Sequence, residues 1–199
     1  MSLERRIDVI RAGFSGDVDR ARDALDDADE MVRVSALRAL ERAGALDDAD
    51  LARAVSDDSN EVRRAAVQLS ATRRVDIAPL VNDPDLFVAE MAAWALGERP
   101  DPTDAELETL IHNATTHEEA IVREACAAAL GSIGDPRGLP AILAACNDKP
   151  AVRRRAVLAL APFEGPEVDA ALTAALEDRD WQVRQNAEDL VNPRLTPRD

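Results

Sequence analysis

The chain has 199 residues, 46% of them apolar, with 39 Asp and Glu against 24 Lys and Arg, a formal net charge of −15. That is apolar material for one or two domains, while the acidity opposes a general phosphate-binding surface, because nucleic-acid affinity comes mainly from Lys and Arg. Aromatic residues make up only 3% and 38 residues are Ala, so the core must rely on small side chains and close backbone approach, which suits packed helices better than a β-sandwich.

No apolar run approaches the ~18 to 20 residues of a membrane span. The start, Met-Ser-Leu-Glu-Arg-Arg, is charged at once and carries no signal-peptide apolar region. Two Cys are no disulfide framework. Together these point to a cytoplasmic protein. Asp outnumbers Glu 24 to 15, and Lys149 is the single Lys beside 23 Arg. Such a surface stays soluble where salt screens charge, which is a halophile's composition; high genomic GC would also favour Ala, Arg and Asp.

In chain order, a first helix is predicted from Leu3 to Ala12, with Leu3, Ile7 and Ile10 on one face, capping the N-terminal end. A tetrad Val-Arg-x-x-Ala followed by Ala-Leu then recurs, anchored at Val32, Val62, Val88, Val122, Val152 and Val183. Successive anchors lie 30, 26, 34, 30 and 31 residues apart. Within each copy the apolar positions fall at i, i+4, i+7 and i+8, one stripe of a helix. A shorter helix precedes each copy, over 17–25, 47–55, 75–81, 104–113, 136–145 and 166–176. Thr103 and Glu106 form a capping box, Pro136 and Pro166 open helices, and Gly44, Gly97 and Gly134 stand where second helices end. Hairpins that cannot bury their stripes alone must stack. The expectation is an all-α, right-handed α-solenoid of about six hairpins, a single domain over residues 1–191, with a disordered tail over 192–199. The small residue at i+4 (Ala36, Ala66, Ala92, Cys126, Ala156, Ala187) lets neighbouring helices approach.

Segments such as Val122-Arg-Glu-Ala-Cys-Ala-Ala-Ala-Leu-Gly-Ser-Ile-Gly-Asp-Pro-Arg137 resemble HEAT repeats, and more narrowly the short, roughly 30-residue subtype named for the phycobilisome lyases. The resemblance covers about residues 17–191. It implies a ladder of Asp–Arg hydrogen bonds between repeats, with Asp27, Asp57, Asp83 and Asp178, Asn147 substituting in the fifth copy, meeting Arg33, Arg63, Arg123, Arg153 and Arg184. Ala89 in the third copy and His117 in the fourth depart from it.

The chemistry that the sequence could carry is limited. His117-Glu118 is similar to the His-Glu dipeptides with which HEAT-type deoxyhypusine hydroxylases hold two irons, but that site needs several dipeptides. His112 and His117 lie five apart, not the i, i+3 or i+4 that aligns two ligands. Cys126 falls on the core stripe and Cys146 has no activating neighbour in sequence. No metal, cofactor or catalytic residue is assigned. A lyase pocket for a tetrapyrrole needs aromatic and basic residues, and the shared repeat does not transfer activity; a HEAT-like nucleic-acid binder needs a basic groove.

What remains is surface. The resemblance implies that second helices line the concave face. There the position six after the repeat Val holds Arg38, Gln68, Trp94, Ala128, Leu158 and Asp189, and the position two after it holds Arg64, Glu90, Glu124 and Arg154 among others. Arg64, Gln68, Glu90, Trp94, Glu124, Arg154 and Leu158 are therefore the candidate binding residues for a protein or peptide partner, with Trp94 as hot spot or as seam packing. Trp181 is expected to pack terminally. The Arg clusters at 63–64, 73–74 and 153–155 offer a possible basic strip for an acidic peptide. The favoured function is a non-enzymatic scaffold or adaptor; a bilin-lyase-like enzyme or accessory is the alternative.

Overall fold

The structure, a computed structural model, describes residues 2–192, and all regular structure among them is helical. The rest of the expected tail, residues 193–199, lies outside the described residues. The chain forms two compact units, residues 1–95 and 96–199. The first holds α1 (Ser2–Ser15), α2 (Val18–Asp23), α3 (Glu30–Arg42), α4 (Asp48–Ala54), α5 (Asn60–Leu69) and all but the end of α6 (Leu86–Gly97). The second holds α7 (Asp104–Thr116), α8 (Ala120–Ile133), α9 (Leu139–Ala145), α10 (Pro150–Ala159), α11 (Pro166–Leu176) and α12 (Trp181–Val191).

Each repeat motif lies on a second helix. The six anchor Val residues are at most 2% exposed, and Ala36, Ala66, Ala92, Cys126, Ala156 and Ala187 are fully buried. The Ala excess is thus spent where helices meet. In the first unit α1, α3 and α5 pack in succession, with α2 and α4 against them. In the second, α8, α10 and α12 do the same, with α7, α9 and α11 alongside. This is the hairpin stacking of an α-solenoid.

Local signals act as read from sequence at most ends. Thr103 and Glu106 exchange both bonds of the capping box. Gly44 and Gly134 turn at φ 67° and 69° after α3 and α8. Gly97 does something else. It ends α6 with ordinary φ, and a Cβ there would lie 2.7 Å from the Cα of Ala129, so its role is close helix approach. The buried Arg99–Glu106 ion pair pins the segment between α6 and α7.

Two expectations change. The helix expected over 75–81 is a 3-10 turn, Ala78–Asn82, with Pro79 in its first turn. The interval Val62 to Val88 is four residues shorter than the common 30, about one helical turn, so no room is left for an α-helix. On α1, which runs beyond the predicted Leu3–Ala12, the face against α3 is Val9, Ala12 and Gly13; Leu3, Ile7 and Ile10 point away and are exposed.

Candidate functional site

The Arg after the repeat Val is committed to structure. Arg33 donates through Nε (2.9 Å) and Nη2 (2.7 Å) to both carboxylate oxygens of Asp57. Arg63 grips Asp83 and Arg153 grips Asp178 in the same way, every bond 2.8 Å. In each case the Arg also donates to the backbone carbonyl of the residue opening its own turn: Asp27, Asp57 and Asp148. The fifth copy differs from expectation. Arg123 binds Asp148, at 2.6 and 2.8 Å, and not Asn147, whose amide donates to Leu143 O instead. Asp148 is held below the usual carboxylate range by the Arg123 guanidinium, and Asp178 by that of Arg153. Among the described residues Arg184 meets no such carboxylate, and it donates to the carbonyl of Asp178. Arg5 on α1 supplies one more rung, to Asp27.

His117 takes over part of the missing Asp. Its Nδ1 accepts the N–H of Glu119 at 3.1 Å, the bond that Asp57 accepts from Ser59 at 2.8 Å. That bond gives His117 a turn-forming role. Among the described residues there is no group of three or more His, Cys, Asp and Glu placed to hold a metal ion. Cys126 is buried and its thiol is pushed up to about 12; that of half-buried Cys146 is pushed up to about 11 by the same desolvation. Both are thiols at neutral pH, not nucleophiles.

The Arg clusters do not form a basic strip. Arg63 and Arg153 sit in rungs, Arg64 pairs with Glu61 at 2.6 Å, and Arg73 with Glu41 at 2.6 Å. Arg154 donates to the Gln182 side chain and lies 3.9 Å from Asp180, and Arg155 lies 3.7 Å from Glu124. Each of these six guanidiniums thus has a carboxylate within 4 Å, which offsets a local positive field for an acidic peptide.

The candidate residues fall into two sets. In the first unit Arg64 and Gln68 lie on α5, Glu90 and Trp94 on α6; Gln68 is exposed and Trp94 is 43% exposed. Trp94 is thus partly packed and partly open. In the second unit Glu124, Arg154 and Leu158 are brought together by α8 and α10. With Arg155 and, from α12, Gln182 and Asn186 they line a groove of about 310 Å³. Leu158 is 42% exposed at its edge. Larger hollows of about 630 and 450 Å³ lie beside the Arg33–Asp57 and Arg153–Asp178 rungs. Their recurrence at equivalent places marks the repeat, not a ligand.

Sequence reasoning missed the residue just before each repeat Val. Phe87 and Ile121 stand there and are 60% and 37% exposed. That position precedes the Trp94/Leu158 position by seven residues, two helical turns, so both share a face. The other copies hold Met31, Glu61, Ala151 and Gln182 there, so no apolar column marks the position in sequence. Trp181, expected to pack terminally, is the first residue of α12 and 64% exposed.

Residues 107–191 match the family of HEAT repeats. Solved structures share the fold. An engineered protein is 20% identical, covering 88% of this chain and 95% of its own, with a TM-score of 0.62. The Escherichia coli protein YibA is 19% identical over 87% of this chain and 69% of its own, with a TM-score of 0.63. A designed armadillo repeat protein in complex with the peptide (KR)4 is 18% identical over 86% and 97%, with a TM-score of 0.61. No curated protein matches the chain significantly in sequence.

Proposed function

We propose that this chain, a HEAT-repeat protein, is a non-enzymatic scaffold that binds a protein or peptide segment along its second helices. The observation that carries the reading is made in each unit by itself: exposed apolar side chains stand at the same two positions of the second helices, Phe87 and Trp94 on α6 of the first unit, Ile121 on α8 and Leu158 on α10 of the second. A buried stripe needs none of them. Exposed aromatics among charged neighbours are what binding hot spots are made of.

The partner chemistry follows from charge. Arg64 in the first unit pairs with Glu61 and Arg154 in the second lies 3.9 Å from Asp180, whereas the chain as a whole carries −15. A segment with apolar anchors and Lys or Arg between them would be steered by that field. The designed armadillo protein with its (KR)4 peptide shows that a fold of this kind can hold a basic segment. Two free thiols and no helix among the described residues long and apolar enough to cross a membrane suit work in a reducing aqueous compartment.

The test compares affinity capture at matched salt with the wild type, Trp94→Ala and Leu158→Ser. Losing either apolar anchor should weaken a specific partner by at least about tenfold. The partner's affinity should also fall as salt rises. A partner retained equally by all three chains means these side chains are incidental and the reading is wrong.

A further inference from the structure

The face of α1 turned away from α3 carries Leu3, Ile7, Ile10 and Phe14, which are 64%, 39%, 38% and 74% exposed. Their spacing is four, three, four, so the stripe reads the same from either end. The position of Ile10 is polar on the next two second helices, Arg38 on α3 and Gln68 on α5, and that of Leu3 is Met31 and then Glu61, so the stripe does not run on to Trp94. Arg42 holds Phe14 from the side, its guanidinium 4.3 Å from the ring centroid.

We propose that this stripe is a contact between two copies of the chain, with the two α1 helices antiparallel about a two-fold axis. Such a contact demands a self-complementary patch. Antiparallel pairing sets Leu3 against Phe14 of the second copy and Ile7 against Ile10, filling all four layers. The flanking charges agree. Glu4 and Arg11 lie seven apart on one edge of the stripe, both exposed. Antiparallel helices bring Glu4 of each copy to Arg11 of the other, two opposite-charge pairs; parallel helices would bring like to like. On the other edge Arg6 meets Gly13, and no like charges oppose. The inference stands apart from the scaffold reading, which uses other residues.

Four side chains are less than the about 800 Å² per partner of a standard interface, so the dimer is weak and concentration-dependent. The test is sedimentation equilibrium of the full chain at moderate salt, from low micromolar to near-millimolar concentration. The mass should rise from one chain toward two. Ile7→Ser with Ile10→Ser should weaken association by about tenfold or more with an unchanged far-UV CD spectrum; should that pair unfold the chain, Phe14→Ser reads the same contact. Glu4→Arg and Arg11→Glu should each weaken it about threefold, and the double reversal should restore it. A chain monomeric throughout, a dimer indifferent to the apolar variants, or a double reversal that fails to restore association overturns the proposal. So does a monomer that instead takes up a basic peptide on α1, read by its loss in Phe14→Ser.

Discussion

Asp148 shows how a single residue can move within a repeat without breaking its chemistry. In other copies the rung carboxylate stands five residues before the repeat Val; here the turn into α10 is one residue shorter, Pro150 opens the helix, and Asp148 replaces position 147. Sequence alignment to the common spacing selects Asn147 for that reason, because a column has no way of showing a turn that has lost a residue. Asp148→Ala removes both bonds of a pair whose side chains are only 11% and 20% exposed, and should cost about 1–3 kcal/mol in urea unfolding. Asn147→Ala should stay within about 0.5 kcal/mol. The reverse order would restore Asn147 to the ladder. The pH dependence has a definite sign. Asp148 and Asp178 have folded pKa values held below the ordinary carboxylate value by Arg123 and Arg153. Their contribution is complete above the unfolded-chain value of about 4 and is lost as pH falls through the lowered folded values. An Asp178→Asn variant should therefore lose less stability than the wild type between mildly acidic and strongly acidic buffer.

At the scale of the helix, the same rule explains what the sequence could show and what it hid. The second helices were legible because one apolar stripe at helical period must be buried, and all six anchor Val residues are. The inward face of α1 was not, because it is made of Val9, Ala12 and Gly13, while four larger apolar residues point elsewhere. Close approach leaves a signature of small residues that hydropathy does not weigh. Gly13 meets Ala39, Gly97 meets Ala129 and Gly131 meets Ala159, and in each case a Cβ on the glycine would lie 2.6–2.7 Å from the alanine Cα. With Arg5 in the rung to Asp27, α1 is thus the second helix of a hairpin that has no first helix among the described residues. Gly131→Ala tests the spacing. A better helix former is gained, worth about 1 kcal/mol, but the clash is with backbone, and α8 and α10 must part at a cost of about 1–3 kcal/mol. The unfolding midpoint should fall; a rise would show that the two helices can separate freely.

For the whole molecule the governing quantity is the −15 charge. The rungs use Asp and Arg in equal number and leave that excess untouched. The surplus therefore belongs to acids outside the rungs, many of them on turns and outer helix faces such as Asp48, Asp58 and Glu118. Like charges at such density repel one another over a Debye length, about 10 Å at 0.1 M salt and about 3 Å at 1 M. The rung pairs, largely withdrawn from solvent, are screened much less. Raising NaCl from a few millimolar to molar should accordingly raise the melting temperature, and KCl should match it, since screening depends on ionic strength and not on the cation. A partner drawn by the same charge should show the opposite trend and bind more weakly as salt rises. Stability and affinity would then cross, and the protein would bind best where it is least stable. A melting temperature that does not move with salt would mean that the acidic excess is too dispersed to strain the fold. In that case the composition reflects the coding sequence's base bias and not adaptation to salt.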